Sequence, residues 1–283
     1  MLKKVGLFAL FCLNIFLISL IGFAIFSWKG LVFSFVFSVI FFVILFIFSP
    51  DIVLRTHRAS SFERLSSSNS QLLGLLSIVD RLAFKLYTGV PEVYLINEVF
   101  PYVFSVGHNK YNWKIAVSTG LISSLDYDEL ESVLTYEFIK SRSGSLLENT
   151  VAAAVFFTYL KFLLNEEKKK PGVLYILRLA FLAIFSPLLI LLHRIIKPKQ
   201  KELEDLDFQV AKNFESSFSF AKALRKIANM HNVYKEEDIA WMRNLVSFLY
   251  VVNPTPRGSL LQSEQNDVLG FTNKRIDTLL QRI

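Results

Sequence analysis

Cysteine is nearly missing from this chain of 283 residues: its single copy, Cys12, lies inside an apolar run. No intrachain disulfide can therefore form, and no cysteine zinc cluster can be built. Charge is also scarce, at 19%, below the roughly 25% usual for soluble domains. Glycine is thin, 11 residues against 28 Phe, and neither Gly120 nor Gly144 sits in a phosphate-loop pattern. The four histidines, His57, His108, His193 and His231, show no HxxxH or HxH spacing. Ser143 and Ser145 have no histidine base nearby in sequence, so a serine hydrolase reading has nothing to stand on.

What fills the chain instead is apolar, at 53%, a balance that points to a bilayer. Val5 to Ser27 is almost unbroken and follows Lys3 and Lys4. It is too long for a signal peptide and lacks a small-residue cleavage site, while a membrane span needs roughly 20 apolar residues. After Trp28, Lys29 and Gly30 a second run, Leu31 to Phe48, stops at Ser49-Pro50. Residues 1–50 thus predict a tight transmembrane hairpin. Arg55, His57, Arg58 and Arg64 follow at once, while the turn holds only Lys29. That asymmetry puts the N-terminus and the region after Pro50 in the cytosol. The net charge of +7 is accounted for by this bias and by anionic headgroups; nucleic acid is not implied.

Residues 51–148 change character. Ser60 to Ser70 is serine-rich and predicts a linker. Leu72, Leu75, Leu76, Val79, Leu82 and Ala83 recur at helical spacing, predicting an amphipathic helix from Gln71 to about Tyr87, ended by Thr88-Gly89-Val90-Pro91. Val93–Ile96, Tyr102–Val106 and Lys114–Ser118 read as strands, with a turn at His108-Asn109-Lys110. A helix starts at Asp126–Glu129. Within 149–196, Val151–Leu164 (carrying Lys161) and Val173–Ile196 (carrying Arg178) predict a second transmembrane or re-entrant hairpin, joined by Asn165–Pro171. Charges inside such runs mark functional cavities or snorkel to the interface. Residues 197–283 are mixed and helical.

Three ordered segments resemble the HtpX-type membrane zinc proteases, relatives of the CAAX prenyl proteases. Pro91-Glu92-Val93-Tyr94-Leu95-Ile96, then Tyr102-Val103-Phe104-Ser105-Val106-Gly107, stand where that family has a strand followed by NAFAxG. Ile115-Ala116-Val117-Ser118-Thr119-Gly120-Leu121-Ile122 is similar to its VAVSTGLL, leading into Asp128-Glu129-Leu130-Glu131-Ser132-Val133-Leu134. Phe220 to Ile227 and the closing Lys274-Arg275-Ile276 resemble its ALRKL and KRI landmarks. The resemblance implies an α+β fold, mainly helical with a small sheet: a cytosolic metalloprotease-like domain assembled between and after two membrane hairpins.

The chemistry departs from the family. HExxH puts two histidines on one helix face to bind zinc, with the glutamate as general base. Here the stretch reads Tyr136-Glu137-Phe138-Ile139-Lys140. Glu137 is the relic of the base, and both histidine positions are lost. The third ligand, a glutamate of an E-x-x-A-D pattern, aligns on Leu203, with Glu202 and Glu204 off register; Leu269 and Gly270 replace a late His-Pro. A protonated ammonium cannot ligate and repels a dication, and Tyr136 would ligate only as phenolate. So no cofactor is expected, although the family implies zinc. Glu137 and Lys140, three apart on one helix, are expected to pair, the amine supplying the cation. The strand Tyr102, Val103, Phe104, Ser105 and Val106 is, by resemblance, an edge that pairs with an extended peptide, or else an ordinary edge strand. The expected protein is a multi-pass inner-membrane relative without catalysis. It would bind unfolded membrane proteins, or regulate an active protease, in membrane protein quality control. The alternatives are a zinc endopeptidase with another ligand set and a structural membrane scaffold.

Overall fold

Phe26 and Ser27 leave helical geometry, with φ/ψ of −124°/18° and 56°/−146°, inside the longest helix, α1 (Leu2–Thr56). The structure is a computed structural model that describes residues 2–62, 70–164, 187–213, 217–233, 246–252 and 262–281. At that break α1 folds back on itself, bringing the Phe11 ring to 5.0 Å from Phe42. Glycine permits the fold: a Cβ on Gly30 would collide with the Gly22 carbonyl oxygen. The turn thus falls slightly before the expected Trp28–Gly30. Nor does the second half stop at Ser49-Pro50, because it runs on to Thr56. Pro50 has no N–H to give the Phe46 carbonyl four residues back, and the Ser49 hydroxyl donates there instead, at 2.9 Å.

The chain divides into two units. The first joins Met1–Ile52 to Val151–Lys197. It contains most of the folded α1, most of α5 (Leu146–Leu164) and α6 (helical over 187–196). Val5–Thr56 is the helix, among the described residues, long and apolar enough to cross a membrane. Val151–Leu164, expected as the first arm of a second hairpin, belongs to a helix that starts earlier, at Leu146, with Val151, Ala152, Ala153 and Ala154 buried and Lys161 exposed. The Asn165–Pro171 connector, and the part of the second run that holds Arg178, lie outside the described residues. A cavity of about 410 Å³ within this unit is lined by Leu10, Phe11, Phe42, Leu45, Tyr159 and Leu192, among others.

The second unit, Val53–Thr150 with Pro198–Ile283, is built on a four-stranded mixed sheet of order β1-β2-β4-β3. Ser60 and Ser61, expected in a linker, form β1 and pair antiparallel with β2 (Glu92–Ile96); of the rest of that stretch, 63–69 lies outside the described residues. β2 runs parallel to β4 (Asn112–Ser118), which pairs antiparallel with β3 (Val103–Asn109). The hairpin turns at Lys110-Tyr111, slightly later than expected. There the Asn109 side chain accepts from the Tyr111 and Asn112 amides at 2.8 and 2.9 Å, the local bonding that favours Asn in turns.

α2 (Ser70–Lys85) puts Leu75, Ile78, Val79 and Leu82 into the core, as its periodicity predicts. Ser118 caps α3 (Thr119–Ser124), accepting from the Leu121 amide at 3.1 Å. α4 (Tyr127–Arg142) starts where Glu129 reaches back to the Asp126 amide at 2.9 Å. It is buried from Glu129 through Ser141. It packs on β3, α2, α7 (Gln200–Asn213) and α8 (Ser217–Val233), while α9 (Gln262–Gln281) packs on α7 and α8. The molecule is mostly helical with a small sheet, as expected.

Candidate functional site

The buried end of α4 carries the site. Glu137 is fully buried, 0% exposed, and Lys140 is 4% exposed. One turn of helix separates them, which sets their side chains on one face. The Lys140 Nζ lies 3.2 Å from each carboxylate oxygen of Glu137 and also donates to the Leu249 carbonyl. Three protons meet three acceptors. From β3, the Ser105 hydroxyl donates to Glu137 Oε2 at 2.5 Å. Burial pushes the Glu137 carboxyl above its ordinary range, and the Lys140 ammonium and the Ser105 hydroxyl offset only part of that rise.

Tyr136, the next residue along α4, joins a different group. Its ring stacks on Phe220 at 5.9 Å and lies 5.6 Å from the Arg275 guanidinium. Arg275 makes a bidentate pair with Asp207 at 2.8 and 2.7 Å and donates to the Val251 carbonyl at 2.7 Å. All of these side chains are buried. Burial holds the Tyr136 phenol well above its usual value, with Arg275 pulling the other way, so the hydroxyl keeps its proton. Leu203 sits one turn before Asp207 on α7 and is half-buried, as are Glu202 and Glu204.

The stretch 246–252 ties the two ion pairs together through the Leu249 and Val251 carbonyls. Between them, Tyr250 places its hydroxyl 2.8 Å from His57 Nε2, and its ring packs at 5.7 Å on Tyr102 and 5.9 Å on Phe104. β3 is the last strand in the sheet order, yet Tyr102, Val103, Phe104, Ser105 and Val106 are all buried. Tyr102 lies just before the strand proper, where its amide donates to Ser118 Oγ at 3.0 Å.

These residues do not fit zinc. The centre beside Glu137 holds an ammonium, and a dication there would meet its charge. Tyr136 is a protonated phenol turned toward Arg275, and Leu203 is aliphatic. Among the described residues no group of three His, Cys, Asp or Glu side chains converges, whereas a protein zinc site needs about three ligands. A Ser–Glu–Lys chain of this kind can hold a proton and fix a helix to a strand.

Sequence reasoning singled out Tyr136, Glu137, Lys140 and Leu203, and used Asp207 and Arg275 only as landmarks. It missed the Asp207–Arg275 pair and the part played by 246–252. A buried Asp and Arg on two helices leave a trace in sequence, whereas a backbone carbonyl leaves none.

A glutamate-bearing helix thus lies under the sheet, braced by later helices, with an amine seated against its carboxylate. The chain is 29% identical over 218 residues to Protease HtpX of Legionella pneumophila strain Corby, covering 73% of this chain and 74% of that protein. It is 27% identical to the Protease HtpX homolog of Syntrophobacter fumaroxidans, over 86% of this chain and 87% of that one. With the Campylobacter hominis homolog the identity is 29%, but the match takes in 57% of this chain and 59% of the relative. With the Salinibacter ruber homolog only about half of each is matched. No family profile matches the chain. Over most of its length the chain is thus similar to HtpX-type proteases, and its α1 is long and apolar enough to cross a membrane.

Proposed function

We propose that this protein has exchanged the family's metal for a built-in cation, and that it works in membrane protein quality control by binding peptides or a partner rather than by cutting. In this reading it is a multi-pass protein of the inner membrane with its folded unit in the cytosol. Its ligands are unfolded membrane proteins or an active protease. The observation that carries the reading is the Lys140 ammonium seated 3.2 Å from both oxygens of the fully buried Glu137.

Zinc content of the purified full chain, together with an assay on an unfolded membrane protein, tests it. The expected result is zinc far below one per chain and no cleavage. Stoichiometric zinc that is lost in Glu137→Gln, with cleavage lost alongside, would establish a zinc endopeptidase with another ligand set. The scaffold reading draws on a different observation, the burial of Tyr102–Val106. Photocrosslinkers at Tyr102 and Ser105 separate the two non-catalytic readings: peptide adducts there mark a binder. Strand addition at β3 requires the Tyr250 stretch to move, so a binder yields more adducts when Tyr250→Ala removes the contact to His57.

A further inference from the structure

We infer that the second unit has a docking surface for a bilayer rich in anionic lipid, formed by Phe84, Tyr87, Val90 and Tyr111 with Lys85 and Lys110. These side chains stand out from the fold. Phe84 is 84% exposed, Tyr87 81%, Tyr111 68% and Val90 61%. They come from two segments, the end of α2 and the tip of the β3–β4 hairpin, which are bonded to each other. The Gly89 amide donates to the Lys110 carbonyl at 3.0 Å, and Trp113 Nε1 donates to the Gly89 carbonyl at 3.0 Å. Gly89 is what lets them meet, since a Cβ there would stand 2.9 Å from Tyr111 Cα.

Tyr87 supplies the second, independent observation. The Thr88 amide bonds the Ala83 carbonyl at 3.1 Å and the Tyr87 amide bonds the Phe84 carbonyl at 3.4 Å, the paired bonds of a Schellman helix end. That motif puts Tyr87 at a left-handed φ of 52°, a position suited to glycine and disfavoured for a bulky side chain. Folding gains little in return, because the ring is out in solvent. A large aromatic kept at a backbone cost and given no packing points to work outside the fold.

The chemistry selects the occupant. Tyrosine and other aromatics concentrate where hydrocarbon meets headgroup, and lysines beside them add attraction to anionic lipid. Lys110 Nζ lies 4.8 Å from the Tyr111 ring, keeping charge and ring together. Among the described residues neither Lys85 nor Lys110 is ion-paired. The neighbouring Glu92 is matched by Lys114 at 3.6 Å, so it does not oppose the lysines. Side chains this exposed make protrusions, which suit a soft lipid surface better than a protein partner's pocket. The inference rests on the chain residing in a membrane and is indifferent to whether it cuts peptides.

The test uses the full chain in nanodiscs, with Cys12→Ser and an environment-sensitive fluorophore on Val90→Cys. With phosphatidylglycerol present, the emission is expected to shift to the blue and to be quenched by headgroup-labelled lipid. High salt, or phosphatidylcholine alone, reverses both. Tyr87→Gly is expected to lose the shift while the melting temperature stays equal or rises, a combination that a structural role would not give. Water-like emission in both lipids overturns the inference. So does protection that ignores lipid but follows protein concentration, which would mark a second copy or a protein partner. A full blue shift retained in Tyr87→Gly removes Tyr87 from the surface.

Discussion

The first unit leaves Phe8, Phe16, Phe33 and Phe37 at least 60% exposed, whereas the second buries Glu137, Lys140, Asp207 and Arg275 to 4% or less. In water the first arrangement wastes hydrophobic area and the second strands charges. The contrast makes sense only if each unit meets a different solvent. Phenylalanine on the outside of the α1 hairpin costs nothing against lipid. The buried charges persist because each is neutralised at close range and fully hydrogen-bonded. One chain thus holds an outside suited to hydrocarbon and a core that carries two buried ion pairs, Glu137–Lys140 and Asp207–Arg275.

The sharpest way to break the comparison is to uncouple the buried pair. Lys140→Ala leaves Glu137 buried without a cation and is expected to lose about 3–5 kcal/mol of stability, read as the unfolding free energy of the purified chain in detergent. Replacing both residues with methionine is expected to restore most of that loss, because no charge is then stranded. In Lys140→Met the Glu137 carboxyl rises further above its ordinary range, since burial already raises it and the ammonium was holding it down. The folded state then binds a proton more tightly than the unfolded one. Stability is therefore greatest below the ordinary carboxylate pKa and is lost as pH rises toward the raised value. Thermal midpoints of Lys140→Met should fall between acid and neutral pH, while Lys140→Met with Glu137→Met stays flat. A flat profile in both variants would remove Glu137 as the titrating group.

The lipid-facing half is tested next. Phe37, 60% exposed on the second arm of α1, is expected to cost about 2.5–3.5 kcal/mol of insertion when changed to Arg, read as the fraction of chain recovered in membranes. A water-facing helix would accept the same change freely. Gly30→Ala comes third. Its methyl group would strike the Gly22 carbonyl, and overpacking of this kind costs about 1–3 kcal/mol. The measurement is thermal unfolding, with the Phe11–Phe42 contact followed by crosslinking of cysteines placed there. Retained crosslinking at unchanged stability would show that the two arms do not need to approach so closely.

How much of this was legible in the sequence depended on how local the signal was. The α2 periodicity, the strand alternation and the Asp126 helix start all act within a few residues, and each element formed close to its expected bounds. Ser60 and Ser61 failed because their strand partner, Leu95 and Tyr94, is remote, and two serines carry no strand propensity. Pro50 misled for a related reason: the rule that proline stops helices is sound, but the Ser49 hydroxyl beside it supplies the missing donor. At the site, Lys140 opposite Glu137 was readable from helical spacing alone. The Tyr136 environment was not, since Phe220 and Arg275 come from helices far along the chain.

The smallest effect completes the comparison, on the same helix. At the start of α4 Lys226 Nζ lies 2.7 Å from Glu129 Oε2, and Lys222 reaches Glu129 Oε1 at 2.9 Å. Lys226→Ala removes one lysine from a glutamate, as Lys140→Ala does, but here water reaches the lysine and a second cation stays behind. The expected loss is under about 1 kcal/mol, and it should shrink with added salt as screening replaces the pair. Lys140→Ala should be insensitive to salt, because ions do not enter its site. If the two variants lost equal stability, or responded alike to salt, the Lys140 amine would be an ordinary surface charge, and the argument that it stands in for a metal would lose its physical basis.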